Sequence, residues 1–234
     1  NTGMVTEVSR TSSPLTDVWN SNGGFDWQGR DPAFIPQFDT HTISPEYGKT
    51  IGWQMVNGRD FNHEIASDST AFIINESTAK ILGFENPVGE VVTWKNWWTK
   101  GVVGFTIIGV VKDVVMLSPY APPTPAVYFL GGNHSWMTIK LNPNINTSEA
   151  LTKIESVFKQ VVPSVPFTYK FVDQEYALKF AVEERISKLA SVFAVLAIFI
   201  SCLGLLGLAS YVAEQRTKEI GIRKINGAKI SEVM

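Results

Sequence analysis

The run LASVFAVLAIFISCLGLLGLASYVA at residues 189–213 holds 25 consecutive positions without a charged side chain. At about 1.5 Å rise per residue it makes a helix of roughly 37 Å, against a bilayer hydrocarbon core about 30 Å thick. The run is long enough to span a membrane with some tilt. The competing reading, a buried central helix of a large soluble protein, fits less well because such helices rarely carry so long an uninterrupted apolar stretch. A secretory signal peptide is excluded by position, since the run lies near the end of the chain with charged groups on both sides. The single cysteine, Cys202, falls inside the run. Lipid contact or helix packing suits it better than a reactive thiol.

Around that run the composition is uneven. The chain has 234 residues, 44% of them hydrophobic, with a formal net charge of −2, but these are averages over a polar, aromatic-rich region ending near Phe171 and the apolar run. The net charge therefore says nothing about partners. Basic residues ahead of the run are few and scattered, so no nucleic-acid-binding face is expected. Asn1 is not an initiator methionine and no apolar stretch precedes residue 50, so the sequence is read as a piece of a longer protein.

The polar region reads as mixed α and β. STAFIIN (69–75) is a β-branched apolar strand, and ESTAKILGF after it a short helix ended by Gly83. ENPVGE is a turn into the strand VVTW, and GFTIIGVVKDVV (104–115) supplies another buried strand. In SPYAPPTPAVYFL four prolines forbid helix, which leaves a loop leading into a strand at residues 126–130. SWMTIKLN (135–142) and FTYKFV (167–172) alternate as half-buried strands. Between them Leu151, Ile154, Val157, Phe158 and Val161 recur at helical spacing behind a cap at Thr147 or Ser148. Strand, helix and strand together predict a βαβ-like unit. Nearer the start, MVTEVSRTS is a candidate strand, residues 21–36 an aromatic, glycine-rich loop, and residues 44–61 a short helix with a turn at Asn57 and Gly58.

DQEYALKFAVEERISK (173–188) has Asp173 as an N-cap, an acidic first turn and neither glycine nor proline. Tyr176, Phe180 and Leu189 fall near one face. This stalk is expected to run unbroken into the span, making a rod of about 60 Å. A continuous helix transmits a rigid displacement, as a loop does not.

Signals for chemistry are absent from the sequence. There is no phosphate-binding GxxxxGK[ST] loop and no strand-linked GxGxxG, and GFENPVGE (83–90) and GVVGFTIIG (101–109) are better read as turns. His41, His63 and His134 are far apart, fit no metal-ligand spacing and are read as surface or loop residues. No GxSxG elbow is present. The Glu183–Glu184 pair reads as a solvated face of the stalk. WKNWW (94–98) suits either a stacking platform for a ligand or partner or the packed rings of a hairpin tip, the latter favoured. The sequons at Asn75, Asn133 and Asn146 are too common to carry weight. No catalytic, cofactor-binding or metal-binding residue is assigned, and the chain is read as not an enzyme.

The end of the chain identifies a family. FISCLGLLGLASYVAEQRTKEIGIRKINGAKISEVM (199–234) closely resembles the second transmembrane helix and following cytoplasmic segment of MacB/FtsX-type ABC transporter permeases. Arg216, Glu219-Ile220-Gly221, Arg223-Lys224 and Gly227-Ala228 match that family's pattern. GRDF (58–61), FIINESTAKILGFENPVGE (72–90), IIGVVKDV (107–114) and FTYKFVDQEYALKFAVEERISKL (167–189) also resemble its periplasmic domain, so nearly the whole chain is covered, residues 1–55 only loosely. The form of the segment is similar to antimicrobial-peptide or macrolide export permeases.

The resemblance implies an α+β fold: a MacB-like periplasmic domain over 1–172, a porter-like βαβ part interrupted by a β-rich insertion at roughly 56–130. A stalk helix (173–188), a transmembrane helix (189–213) and a truncated cytoplasmic coupling segment (214–234) would follow. The implied function is mechanotransmission, in which a partner ABC ATPase dimerises on ATP and a permease homo- or heterodimer passes the movement outward. The cargo would be peptides, macrolides or lipoproteins, with a periplasmic adaptor as a further partner. Arg216, Glu219, Gly221, Arg223, Lys224 and Gly227 would form the ATPase-coupling segment. Lys179, Arg185 and Lys188 before the span stand against Arg216, Lys218, Arg223 and Lys224 after it, so charge counting favours a cytoplasmic end only slightly. The orientation, with residues 1–188 outside a bacterial inner membrane and the C-terminus in the cytoplasm, rests on the resemblance.

Residues alone leave two other classes open. One is an extracytoplasmic ligand-sensing domain of a membrane receptor, which a downstream coiled coil and signalling domain would distinguish from further membrane spans. The other is a tethered hydrolase, for which no catalytic constellation is found. The basic segment 216–227 itself is either a lipid-headgroup anchor or a docking element. Glu219 among the cations, and isoleucines at 220, 222 and 225 that share no single face, favour docking. Gly221 and Gly227 are expected to let the chain turn there.

Overall fold

AFIIN, at Ala71–Asn75, is buried along its whole length, which is possible only for a strand covered on both faces and hydrogen-bonded on both edges. The computed structural model describes residues 3–95, 101–117 and 121–227, with backbone alone at 182–183 and 218–220. It divides into two compact units, Asn1–Tyr176 and Ala177–Met234.

In chain order, the elements of the first unit begin with β1 (Val5–Thr11), β2 (Ser21–Asn22), β3 (Phe25–Asp26), β4 (Phe38–Ile43), helix α1 (Tyr47–Ile51) and β5 (Met55–Gly58). A 3-10 turn (Ala66–Thr70), β6 (Ala71–Asn75), α2 (Glu76–Leu82), β7 (Val91–Lys95) and β8 (Val102–Val111) come next, then β9 (Ala126–Leu130), β10 (Trp136–Leu141) and α3 (Thr147–Val161). Among the described residues all ten strands join one sheet in the order β10-β1-β4-β9-β6-β8-β7-β3, with β2 beside β4 and β5 beside β8. The β4–β9 and β6–β8 pairs are parallel and the others antiparallel. The fold is α+β.

Alternation along the central strands feeds two cores, one on each face of the sheet. Phe72 and Ile74 of β6 join Phe25, Phe38, Val92, Trp94, Phe105, Ile107, Val127 and Phe129 beneath Leu82 of α2. Phe72 stacks on Phe105 with ring centroids 4.1 Å apart, and Phe25 on Trp94 at 4.9 Å. Ala71 and Ile73 face the other way, with Ile43, Tyr47, Phe61, Val111, Met116 and Tyr128. Residues 21–36, expected as a loop, contribute β2 and β3 and bury Phe25 and Trp27. Aromatic residues beside glycines here are core, not surface.

Gly58 shows why the turn at Asn57 needs glycine. Its φ is +74°, and a Cβ there would stand 2.2 Å from the Ile108 carbonyl oxygen. The N–H of the next residue, Arg59, donates to that same carbonyl at 3.0 Å.

Two local expectations shift. Helix α3 is capped by Asn146, whose side chain accepts from the Ser148 N–H, rather than by Thr147 or Ser148. The segment 167–171 alternates but forms no strand. Strand order requires a hydrogen-bonded partner, and β10 is paired with β1 alone among the described residues. The rings of Phe158, Phe167, Tyr169 and Phe171 instead contact one another in series, at 5.4, 5.7 and 5.5 Å. The apolar stripe of α3 is accordingly covered only in part: Leu151, Ile154 and Phe158 are half-buried, while Val161 is 75% exposed.

Helix α4 (Val172–Gln215) is 44 residues long, about 66 Å at the usual rise. It begins one residue ahead of Asp173, so that side chain sits in the first turn, accepting from the Gln174 N–H, rather than at the cap. Helix α5 (Thr217–Ile225) follows.

Candidate coupling segment

The second unit consists of α4 beyond Tyr176 together with α5. Between Leu189 and Ala213 every side chain is exposed. The helix is long and apolar enough to cross a membrane, and in the absence of a protein partner for that surface the hydrophobic effect would drive it into lipid. Gly204 and Gly207 lie inside the apolar run with open space where a Cβ would stand. Cys202 is exposed there.

Between α4 and α5 the helical hydrogen bonding barely breaks. The Arg216 N–H donates to the Val212 carbonyl at 3.1 Å, and the Thr217 hydroxyl donates to the Ala213 carbonyl at 3.0 Å. Arg216 itself keeps a right-handed backbone, φ −85° and ψ −2°. The Gln215 amide donates to the Tyr211 hydroxyl at 2.9 Å, bracing the last turn of α4.

The six residues expected to form the coupling segment lie in α5 and at its two ends. Positions 216, 219 and 223 are spaced i, i+3 and i+7, so the helical backbone sets them on one side. Arg223 and Lys224 occupy the last turn of α5, where positive charge complements the carbonyl end of the helix dipole. Ile222 and Ile225 are 62% and 87% exposed. Gly227 adopts φ +86° and its N–H donates to the Lys224 carbonyl, ending α5 as a left-handed cap. Gly221 is different. It lies within α5, with nothing near the place of a Cβ, so the turn expected there is helix, because neighbours of good helix propensity carry the backbone through it.

Residues singled out in the first unit resolve differently. Trp94 is fully buried and its indole N–H donates to the Gly23 carbonyl at 3.1 Å, as a packed hairpin ring; Trp97 and Trp98 lie outside the described residues. Asn75 is a buried cap of α2, inaccessible to modification. His41, expected at the surface or in a loop, is 1% exposed on β4, stacked on Tyr128 with ring centroids 5.1 Å apart. Burial drives its pKa down to about 4. The strand register decides this, since His41 is paired with Tyr128 of the parallel neighbour β9. Among the described residues no three His, Cys, Asp or Glu side chains form a metal-binding group.

The hydroxyl of Tyr176 carries a role that no sequence motif marks. It donates to the backbone carbonyls of Leu15 and Val115, the former at 3.2 Å. Only the polar tip of a tyrosine on an otherwise apolar face hinted at such a bond.

Comparison with known proteins agrees with this architecture. The sequence profile of the MacB-like periplasmic core domain matches residues 3–157. Among curated relatives, the macrolide export ATP-binding/permease protein MacB of Rhodospirillum rubrum is 24% identical over 199 residues, covering 81% of this chain and 30% of its own length. The protein of the same name from Campylobacter fetus subsp. fetus is 29% identical over 200 residues, with 81% and 30% covered. The chain thus spans about 30% of the length of the curated relatives it matches. The crystal structure of the periplasmic region of MacB from Actinobacillus actinomycetemcomitans superposes with a TM-score of 0.51 at 18% identity, covering 77% of each chain. A match of that identity speaks to the fold alone, whereas the profile covers well over half of the sequence: the chain belongs to the MacB-like periplasmic core domain family.

Proposed function

We propose that this chain is part of the permease component of an ABC transporter. Its α4 and α5 pass a movement generated by the transporter's ATPase, whether a partner subunit or fused to the permease, to the sheet-bearing domain outside the membrane. The observation that carries the reading is helix α4, continuous from Val172, next to the family domain, through a membrane-length apolar run to the basic α5. The name shared by the curated relatives, macrolide export ATP-binding/permease protein, supports it.

In this reading the chain performs no chemistry of its own. Residues 1–172 form the periplasmic domain, with an insertion at roughly 56–130, and 173–188 the stalk. The span is 189–213 in a bacterial inner membrane, and 214–234 is the cytoplasmic coupling segment. Arg216, Glu219, Gly221, Arg223, Lys224 and Gly227 meet the ATPase. The permease works as a dimer, with a periplasmic adaptor, and exports peptides, macrolides or lipoproteins.

Charge reversal tests it. In the full-length transporter Glu219→Lys, Arg223→Glu and Lys224→Glu together should lower export and transport-coupled ATP hydrolysis at least tenfold while leaving membrane insertion and the tryptophan fluorescence of the outer domain unchanged. Export at the wild-type rate would remove α5 from the coupling path.

A further inference from the structure

Tyr176 occupies the second turn of α4 and is the last residue of the first unit. Its phenol reaches the carbonyl of Leu15, in the loop after β1, and that of Val115, in the loop after β8. Residues 100 positions apart in the sequence thus share one side-chain donor. A phenol has a single proton to give, so the two carbonyls compete for it. A small displacement of the tyrosine strengthens one bond at the expense of the other.

Both loops are seated in the same core. Met116, next to Val115, is buried with Tyr128, Ile73 and Val111, and Leu15, Val18 and Val114 pack against that cluster. Thr16, next to Leu15, is buried as well. A shift at either carbonyl is therefore delivered to side chains resting on the central strands β6, β8 and β9, because close-packed groups cannot yield independently. The neighbouring ion pair of Lys170 with Glu175, 3.0 Å, has an exposed lysine and a half-buried carboxylate and, reached by water, holds the start of α4 less firmly.

We propose that the Tyr176 hydroxyl is the positioning group that joins α4 to the 12–20 and 112–117 loops, and that its choice between the two carbonyls passes helix movement to the sheet. The coupling half of this statement rests on the transporter reading above; the joint itself does not.

The test is Tyr176→Phe, which removes one oxygen and keeps the ring, in the full-length transporter in lipid nanodiscs. Without nucleotide, amide exchange in residues 12–20 and 112–117 should quicken about tenfold, the equilibrium equivalent of one lost hydrogen bond, with β6 and β8 unaffected. With ATP, the variant should hydrolyse it at the wild-type basal rate yet lose the nucleotide-dependent change in exchange of those loops, and export with it. Unaltered exchange without nucleotide overturns the joint. Faster loop exchange with undiminished nucleotide response overturns the coupling role. No nucleotide response in the wild-type protein defeats the transporter reading and the coupling role together, and the exchange measured without nucleotide still decides the joint.

Discussion

Arg59 grips the buried carboxylate of Asp68 with both arms of its guanidinium, Nη1 to Oδ2 at 2.8 Å and Nη2 to Oδ1 at 2.6 Å. The two sides of this pair are unequally buried: the Asp68 side chain is 0% exposed and that of Arg59 43%. Removing the cation strands a charge away from water, whereas removing the anion leaves a guanidinium that water can reach. Arg59→Ala should therefore cost about 3 kcal/mol and Asp68→Asn about half of that. Urea unfolding followed by tryptophan fluorescence measures both, since all seven tryptophans precede residue 137. Equal losses would refute the asymmetry.

The same pair sets a pH limit. Its hydrogen bonds to Arg59 hold the Asp68 carboxyl below its usual value, aided by the Asn62 N–H. A carboxyl pKa lowered in the folded state stabilises above the unfolded pKa, near 4, and loses that contribution as pH falls below it. The acid loss attributable to Asp68 should be absent from Asp68→Asn.

His41 acts over a higher range. Burial lowers its pKa from 6.5 to about 4, so the fold prefers the neutral ring. Stability is complete above about pH 6.5 and declines as pH falls toward 4, by about 3 kcal/mol in all. His41→Phe keeps a ring against Tyr128 and should flatten the stability profile between pH 7 and 4. A slope in that variant as steep as in the wild type would assign the titration elsewhere.

Asn75 ties α2 to β9. Its Oδ1 accepts from the N–H groups of Thr78 and Ala126 at 3.0 and 2.9 Å, and its amide donates to the Thr124 carbonyl at 2.8 Å. Asn75→Ala should cost about 3 kcal/mol, combining a lost cap with stranded backbone groups. Asn75→Asp, which keeps the acceptor and loses the donor, should fall between it and the wild type in the same unfolding assay.

Gly221 separates helix propensity from contact. With open space at its Cβ position, Gly221→Ala should firm α5 by about 1 kcal/mol, read as slower amide exchange in Thr217–Ile225. If the ATPase approaches α5 closely at this residue, coupled ATP hydrolysis falls even as the helix stiffens. A stiffer helix with unchanged hydrolysis would show that nothing packs on Gly221.

What the residues specify locally and what folding specifies divide along one physical line. Local and periodic properties were readable from the residues alone. Twenty-five uncharged positions made a membrane-length helix, STAFIIN held a strand, Gly83 ended α2, and the motifs from GRDF to the Arg216–Gly227 segment carried the family resemblance. Each depends on neighbours a few residues away, or on a pattern held in the order of the chain. What only the tertiary structure decided were matters of pairing and burial across long separations. The β4–β9 register put His41 inside beside Tyr128. The hairpin of β7 and β8 turned Trp94 into core, and β1 claimed β10, while FTYKFV found no strand partner among the described residues. The Tyr176 hydroxyl met carbonyls from two distant loops. A strand's partner and a side chain's burial depend on segments brought together only by folding, so the same alternating pattern yields a strand in one place and a row of touching rings in another.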